Sequence, residues 1–132
     1  MDNFTHKNLS EVEDMAAQHG AGDVMEVRFA AADLNAKDTG LSHHKLKPGQ
    51  RQPFGHKHDE AEEVFVVMTG WGRVKLDEDV VELTQLDAVR VAPGVMRQFE
   101  AGHEGLEMVA FGPRHEGDGE VVPGWWASDM PE

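Results

Sequence analysis

Two histidines and a glutamate stand close together near the middle of the chain, in the stretch GHKHDEAEEVF (55–65). His56 and His58 are two residues apart, so on a β-strand both side chains point to the same face. A short acidic link then leads to Glu63, which begins an apolar run. Two imidazoles and one carboxylate on one side of a metal leave coordination positions open, which suits non-haem iron and also manganese, nickel or zinc. The alternative is a polar strand end beside a core strand, because chance His-x-His pairs are common.

The elements that would position these residues are short β-strands. From residue 24 onward, the chain consists of short runs rich in β-branched and aromatic residues, with a turn about every 8–12 residues. The runs lie at 24–29, 41–46, 62–69, 73–76, 80–83, 88–91, 96–101 and 106–111. This pattern predicts an all-β domain built as an antiparallel sandwich or barrel. Ahead of the strands, Ser10 and Glu13 form a capping-box pattern that predicts a short N-terminal helix ending before Gly20.

The histidine stretch also resembles the first sequence motif of the cupin superfamily. That motif runs Gly, His-x-His, Glu, Gly at characteristic spacings, and its positions are filled here by Gly49, His56, His58, Glu63 and Gly70, with one extra residue after the first glycine. The resemblance covers residues 41–112 and implies a small antiparallel β-barrel, or jelly roll. We therefore predict a single domain over residues 1–132. It would comprise a helical extension (1–22), a barrel core (41–112) and a loop-like C-terminal tail (113–132).

The second cupin motif is largely missing. Arg97 stands where the resemblance would place a fourth metal-binding histidine. Of the other signature positions only Gly94 matches, and the rest are Leu86, Ala92 and Ala101. Arg97 shares strand parity with the phenylalanine two residues later, which predicts that it points into the barrel. A buried guanidinium without a partner costs several kcal/mol, so Arg97 needs one there.

Three interpretations of Arg97 follow from this placement. In the first, Arg97 pairs with Glu63 and the barrel holds no metal. In the second, His56, His58 and Glu63 hold one divalent ion, and Arg97 binds a carboxylate or phosphate of the ligand, for which its planar fork is suited. In the third, His44 completes the metal shell, because it shares strand parity with a core leucine.

Other residues are expected to line the pocket or to pack around the barrel. Gln52 and Phe54 lie on the same predicted strand face as the first histidine and are candidate ligand contacts, together with His44 and Arg97. Trp125 and Trp126 are expected to be buried at the barrel mouth, on the outer sheet or in a dimer contact. The strand at 62–69 is apolar on both faces, which favours a homodimer.

Composition narrows the function classes. The 25 acidic and 12 basic residues give a net charge of −13, which disfavours nucleic acid and anionic membrane surfaces as partners. No run approaches the roughly 18 apolar residues that a membrane span needs. The chain has no cysteine, so thiolate nucleophiles, disulfides and zinc–thiolate sites are excluded. With no apolar signal region at the N-terminus, we expect a cytoplasmic protein.

The sequence therefore predicts a small cupin-like barrel that binds a divalent metal and a small organic ligand, anionic if Arg97 contacts it. Open coordination positions would serve an oxygenase or an isomerase. The competing class is a metal-free, non-catalytic binding or interaction module in which Arg97 replaces the metal. The residues leave open whether the protein is an enzyme, because the cupin fold hosts enzymes and binding proteins alike.

Overall fold

The protein forms one curled antiparallel sheet of eight strands with a short helical segment at its N-terminus. The computed structural model describes residues 3–114 and 117–127. The elements are a 3₁₀ turn at Leu9–Glu11, the helix α1 (Met15–Gln18), and the strands β1 (Met25–Phe29), β2 (Thr39–Leu46), β3 (Phe54–His58), β4 (Glu63–Leu76), β5 (Asp79–Leu83), β6 (Ala88–Val91), β7 (Arg97–Pro113) and β8 (Gly119–Pro123). The predicted all-β fold with a short N-terminal helix is confirmed.

The long strand β7 organises the sheet. It pairs with β2 along one stretch and with β4 on its other edge, and a single register pair, His56 with Arg97, joins it to β3. The order along the sheet is β1-β2-β7-β3-β8, while β4 also pairs with β5 and β6. All the pairings are antiparallel, and they curl the sheet into a half-barrel with one apolar concave side.

The core fills this concave side. Phe65 and Phe99 lie at its centre, with 2% and 0% of their surface exposed and ring centroids 4.7 Å apart. Around them pack the buried aliphatic residues Val67, Val74, Leu83, Val91, Leu106 and Met108. Burying a large aromatic side chain stabilises a fold by about 1.5–3 kcal/mol, so this cluster is a principal source of stability.

Two pairs of predicted strands are in fact continuous, and one of them, the runs at 96–101 and 106–111, is joined in the 17-residue strand β7. The runs at 62–69 and 73–76 are both part of the 14-residue strand β4, which passes through the predicted turn with two register shifts. Gly70 allows this because it has a φ of +81°, and a Cβ there would lie 2.1 Å from the carbonyl oxygen of Gly105. The prediction of a turn was wrong because bulges absorb the glycines without ending the strand.

The N-terminal helix is shorter than predicted and is capped by other residues. Asn8 caps the 3₁₀ turn and Asp14 caps α1, whereas the sequence pattern placed the start at Ser10. Val12 interrupts the helix because it is extended, with ψ of 140°, and its side chain is buried. Asp14 Oδ1 also accepts a hydrogen bond from the backbone N–H of Val27, which ties α1 to β1. Neither helical segment of the described residues could span a membrane.

The predicted loop-like tail contains a strand. β8 pairs with β3 from Phe54 to His58, so the sheet extends beyond the predicted 41–112 core at this end, as it does at β1. Sequence reasoning missed β8 because it is only five residues long and is surrounded by glycines. The remainder of the tail, residues 128–132, and residues 115–116 lie outside the described residues.

The two C-terminal tryptophans, Trp125 and Trp126, pack against the outer face of the sheet. Trp126 is buried under the guanidinium groups of Arg51 and Arg73, which lie 4.1 and 5.1 Å from its ring centroid. Glu100 joins the two arginines, accepting from each Nε at 2.8 Å. Trp125 lies against Gly55, where a Cβ would come within 2.8 Å of its ring. The packing supports the outer-sheet alternative and fastens the C-terminal segment beside β3.

Candidate metal centre

The three predicted ligands come together at the edge of the concave side. Strand β3 presents His56 and His58 on one face, as their spacing predicts, and Glu63 is the first residue of β4. One ligand atom from each of the three lies within 4.8 Å of the others. Among the described residues this is the one such group of histidines and acids. The three side chains form a cluster that could hold a metal ion, as is typical of cupins.

The cluster is arranged around a single carboxylate oxygen. Glu63 Oε1 lies 3.6 Å from His56 Nε2 and 3.7 Å from His58 Nε2. The two imidazole rings are nearly perpendicular, at 87°, with centroids 5.5 Å apart. Ligand atoms bound at about 2.0–2.2 Å to one tetrahedral ion lie about 3.4 Å from each other. The two separations from Glu63 are only slightly wider, and all three ligand atoms lie within 4.8 Å of one another, so side-chain movements would close the group on a metal.

The hydrogen-bonding of the cluster also fits a metal site. Glu63 Oε1 and the Nδ1 atoms of both histidines are buried, and none has a hydrogen-bond partner among the described residues. Buried polar atoms are usually satisfied, so the unpartnered Glu63 Oε1, which both Nε2 atoms face, indicates a missing ligand at that point. Two imidazole nitrogens and a carboxylate oxygen are donors that Fe, Mn, Ni and Zn all accept.

The electrostatics favour the protonation states that bind a cation. Burial raises the pKa of Glu63, but the nearby imidazole of His56, together with the charges of His58 and Arg97, outweighs burial and brings the pKa below its usual value. Burial lowers the pKa of His58, with Glu63 acting in the opposite direction. At neutral pH these directions describe an ionised carboxylate beside a neutral imidazole.

Arg97 is buried behind the cluster. Its side chain has no exposed surface, and its Nη1 lies 3.5 Å from Glu63 Oε1. All three guanidinium nitrogens lack a hydrogen-bond partner among the described residues. Burial lowers the pKa of Arg97, while Glu63 and Asp77 raise it. Arg97 is absent from the described cavity lining, so its contact with a ligand stays a prediction and its observed neighbour is the Glu63 carboxylate.

A cavity of about 730 Å³ opens beside the cluster. Its wall includes His56, His58 and Glu63, and also the predicted pocket residues Gln52, Phe54 and His44. Most of the remaining wall is apolar and includes Met15, Met25, Val27, Phe29, Leu41 and Phe111. Its volume is within the range of small-molecule sites, about 300–1,000 Å³. The contribution of α1 and β1 could not be read from the sequence, because it depends on how the sheet curls.

His44 lies in the cavity wall but outside the metal-binding group. Its Nε2 is 2.8 Å from Ser42 Oγ, and both residues are buried. Burial lowers the pKa of His44 to about 4, so the ring is neutral at neutral pH. The group of mutually close ligand atoms does not include His44, which leaves its completion of the metal shell a prediction without structural support.

Gln52 is committed to the fold more than to the pocket. Its Oε1 accepts a hydrogen bond from the backbone N–H of Phe99 at 2.9 Å, and its backbone carbonyl accepts from the side chain of Gln98. The residue is only 3% exposed. Phe54 is half-buried and offers its ring to the cavity. Of these two predicted contacts, Phe54 is the better placed for a ligand.

One residue near the cluster was missed by sequence reasoning. Asp118, immediately before β8, has its Oδ2 3.7 Å from His58 Nδ1. Nothing in the local sequence EGDGE distinguishes this aspartate from a solvated turn residue. Its neighbours in space come from much earlier in the chain, because the backbone N–H groups that it binds belong to residues 58 and 57 positions before it.

Comparison with known proteins places the fold. No protein-family model and no curated protein sequence matches the chain. In structure, a cupin protein (BF4112) from Bacteroides fragilis matches 100% of this chain and 98% of its own, with 20% sequence identity and a TM-score of 0.69. This full-length match shows that the chain has the cupin fold.

Two further similar structures carry named activities of their own. Oxalate decarboxylase from Bacillus subtilis matches 99% of this chain, at 19% identity and a TM-score of 0.72, although this chain spans only 35% of that enzyme. A Streptomyces PAC13 variant solved with uridine matches 93% of both chains, at 17% identity and a TM-score of 0.70. Pac13 is described as a nucleoside dehydratase. At these identities the likeness concerns the fold alone.

Proposed function

We propose that this protein is a metal-dependent cupin that holds one divalent ion, Fe, Mn, Ni or Zn, through His56, His58 and Glu63. The observation that carries the proposal is the convergence of both Nε2 atoms on Glu63 Oε1 at 3.6 and 3.7 Å, at the wall of a cavity. A bound ion supplies Lewis-acid chemistry there, and dioxygen chemistry when the metal is redox-active, as isomerases and oxygenases need.

The cavity supports a small organic ligand that is largely apolar. Apolar side chains supply most of the exposed wall, and His56, His58 and Glu63 form one group of polar side chains on it. Burial of apolar ligand surface contributes about 25 cal/mol per Å², so the wall would supply affinity and the cluster would orient one polar group of the ligand. Arg114 is the arginine in the cavity lining, in contrast to Arg97, and its Nη1 donates a hydrogen bond to the carbonyl oxygen of Ala36 at 2.8 Å.

The direct test is the metal content of tag-free protein, measured by plasma mass spectrometry after loading with each candidate metal. We expect close to one ion per chain in the wild type and loss of the ion in His58→Ala. The matched control is His103→Ala, because His103 is an exposed histidine outside the cluster that packs on Trp71. Absence of metal from the wild type under every loading condition would refute the proposal.

The ligand class is tested separately on the metal-loaded protein. Fluorescence of the neutral probe N-phenyl-1-naphthylamine should rise on binding to the apolar wall and should fall when Phe54→Asp places a charge there. The melting temperature of Phe54→Asp shows whether that variant is folded. Tighter binding of small dicarboxylates than of the neutral probe would instead favour an anionic ligand.

One observation favours a second candidate, a metal-free binding module. Arg97 Nη1 is 3.5 Å from Glu63 Oε1, close enough for the guanidinium charge to compete with a cation for this carboxylate. Arg97→His distinguishes the two candidates. If the wild type takes up no metal and Arg97→His does, Arg97 occupies the role of the ion and the search turns to non-catalytic binding.

We also propose that the protein is a homodimer through the outer face of β4 and β7. Val64, Val66 and Val109 are half-buried there, and Met68 is 40% exposed. Adjacent apolar residues on a sheet face are commonly covered by another subunit.

A further inference from the structure

Asp118 fixes the link between the two strands that carry the metal-binding residues. Its Oδ1 accepts a hydrogen bond from the backbone N–H of Glu60 at 2.8 Å, and its Oδ2 accepts from that of Ala61 at 2.9 Å. Its backbone carbonyl accepts from Asp59 N at 3.1 Å. The residue is 8% exposed. A single aspartate therefore holds most of the link that follows His58 and precedes Glu63.

The same carboxylate faces the outer nitrogen of a predicted ligand. Asp118 Oδ2 is 3.7 Å from His58 Nδ1, which is buried and has no hydrogen-bond partner among the described residues. The other ring nitrogen, Nε2, faces Glu63. When a histidine binds a metal through one nitrogen, the other nitrogen carries a proton and needs an acceptor, which is commonly a carboxylate.

We propose that Asp118 is the positioning residue of the metal site, accepting the Nδ1–H of His58 and so presenting Nε2 to the ion. The proposal rests on the proposed metal-binding function. A movement of well under an ångström would bring the 3.7 Å separation into hydrogen-bonding range, which ends near 3.2 Å. Asp118 touches no reacting atom itself. It acts through the orientation and basicity of His58.

The first experiment measures Zn²⁺ affinity by competition with a fluorescent chelator. We expect Asp118→Asn to weaken binding by about 10- to 100-fold, the usual effect of removing such an acceptor. Asp118→Ser, which keeps a short oxygen acceptor for the backbone N–H groups, should weaken it to a similar extent, and it serves if the first variant does not fold. The control is Asp87→Asn, because Asp87 also accepts a backbone N–H, that of Thr84, but lies in a turn away from the cluster.

A purely structural role for Asp118 is separated by repeating the measurement in two backgrounds. If Asp118 acts through His58, Asp118→Asn weakens Zn²⁺ binding in a His56→Ala protein and has little further effect in a His58→Ala protein, both measured with Zn²⁺ raised well above the concentration used for the metal-content test, so that the two remaining ligands still bind it measurably. If Asp118 only holds the link at 59–61, the loss is equal in both backgrounds, and that result overturns the proposal. Unchanged affinity in Asp118→Asn overturns it as well. Failure of the wild type to bind any metal overturns both this proposal and the proposed function, whereas wild-type binding with an unaffected variant overturns only this one.

Discussion

The buried pair of Arg97 and Glu63 allows a quantitative test of the electrostatics of the site. Arg97 Nη1 and Glu63 Oε1 are 3.5 Å apart, and two unit charges at that distance attract by about 5 kcal/mol at an effective dielectric constant of about 20. The pair has no hydrogen bond, and the Glu63 side chain is 18% exposed, so some of this attraction is screened. We expect a coupling free energy of about 2–4 kcal/mol in the metal-free protein.

The perturbation is a double-mutant cycle of Arg97→Met and Glu63→Gln. Glu63→Gln alone should cost about 3–5 kcal/mol of unfolding free energy, because it leaves a buried guanidinium without its counter-charge. The double variant should recover part of that loss, since methionine places no charge in the core. Urea denaturation in the presence of a chelator gives the four free energies without interference from bound metal.

The matched control is the exposed pair of Arg90 and Glu62. Its closest atoms are 3.4 Å apart, which is almost the same distance, but the two side chains are 63% and 54% exposed. Its coupling free energy should stay below about 1 kcal/mol. A buried-pair coupling no larger than that of the control would refute the reasoning, and would mean that the charge of Arg97 is balanced by some other group.

Two further predictions concern pH and assembly. Burial lowers the pKa of His44 to about 4, so the unfolded chain binds a proton at this residue more readily than the folded protein does. The free energy of unfolding should therefore fall by up to about 3 kcal/mol as the pH drops from about 6.5 to about 4. Urea denaturation across that pH range should show a clearly smaller fall for His44→Phe. For assembly, light scattering should show that Val66→Lys converts a dimer to a monomer, while Val80→Lys, at an exposed valine on the separate strand β5, leaves the dimer intact. A monomeric wild type would contradict the proposed interface.

Local sequence patterns sufficed to predict that the three candidate ligands lie together, because strand alternation is a local rule. The spacing of His56 and His58 already places them on one face, and Glu63 opens the next strand, as the structure confirms. Parity likewise predicted that Arg97 turns inward with Phe99, and both are fully buried. The position of Arg97 behind the carboxylate, off the cavity wall, could not be predicted, because parity gives a face of the sheet and no depth within it.

The features that sequence reasoning missed depend on contacts between distant parts of the chain. Asp118 reaches the link between His58 and Glu63 only because β8 pairs with β3. The short run that forms β8 carries no strong strand signal. The register shifts near Gly70 could not be predicted either, because a glycine in a strand and a glycine in a turn look alike in sequence. The helix does not continue through Val12, because burial of the Val12 side chain stabilises an extended backbone there more than the capping pattern at Ser10 stabilises a helix.

The pairing of β3 has a consequence for the order in which the protein can assemble during synthesis. β3 pairs with β7 at one position only, whereas it pairs with β8 at five. The strand that carries both histidines therefore receives most of its backbone pairing from a segment that leaves the ribosome much later. Until β8 emerges, His56 and His58 lie on an edge strand without its outer neighbour. We therefore expect the nascent chain to bind the proposed ion only after β8 has been synthesised, when β8 and Trp125 and Trp126 cover that edge.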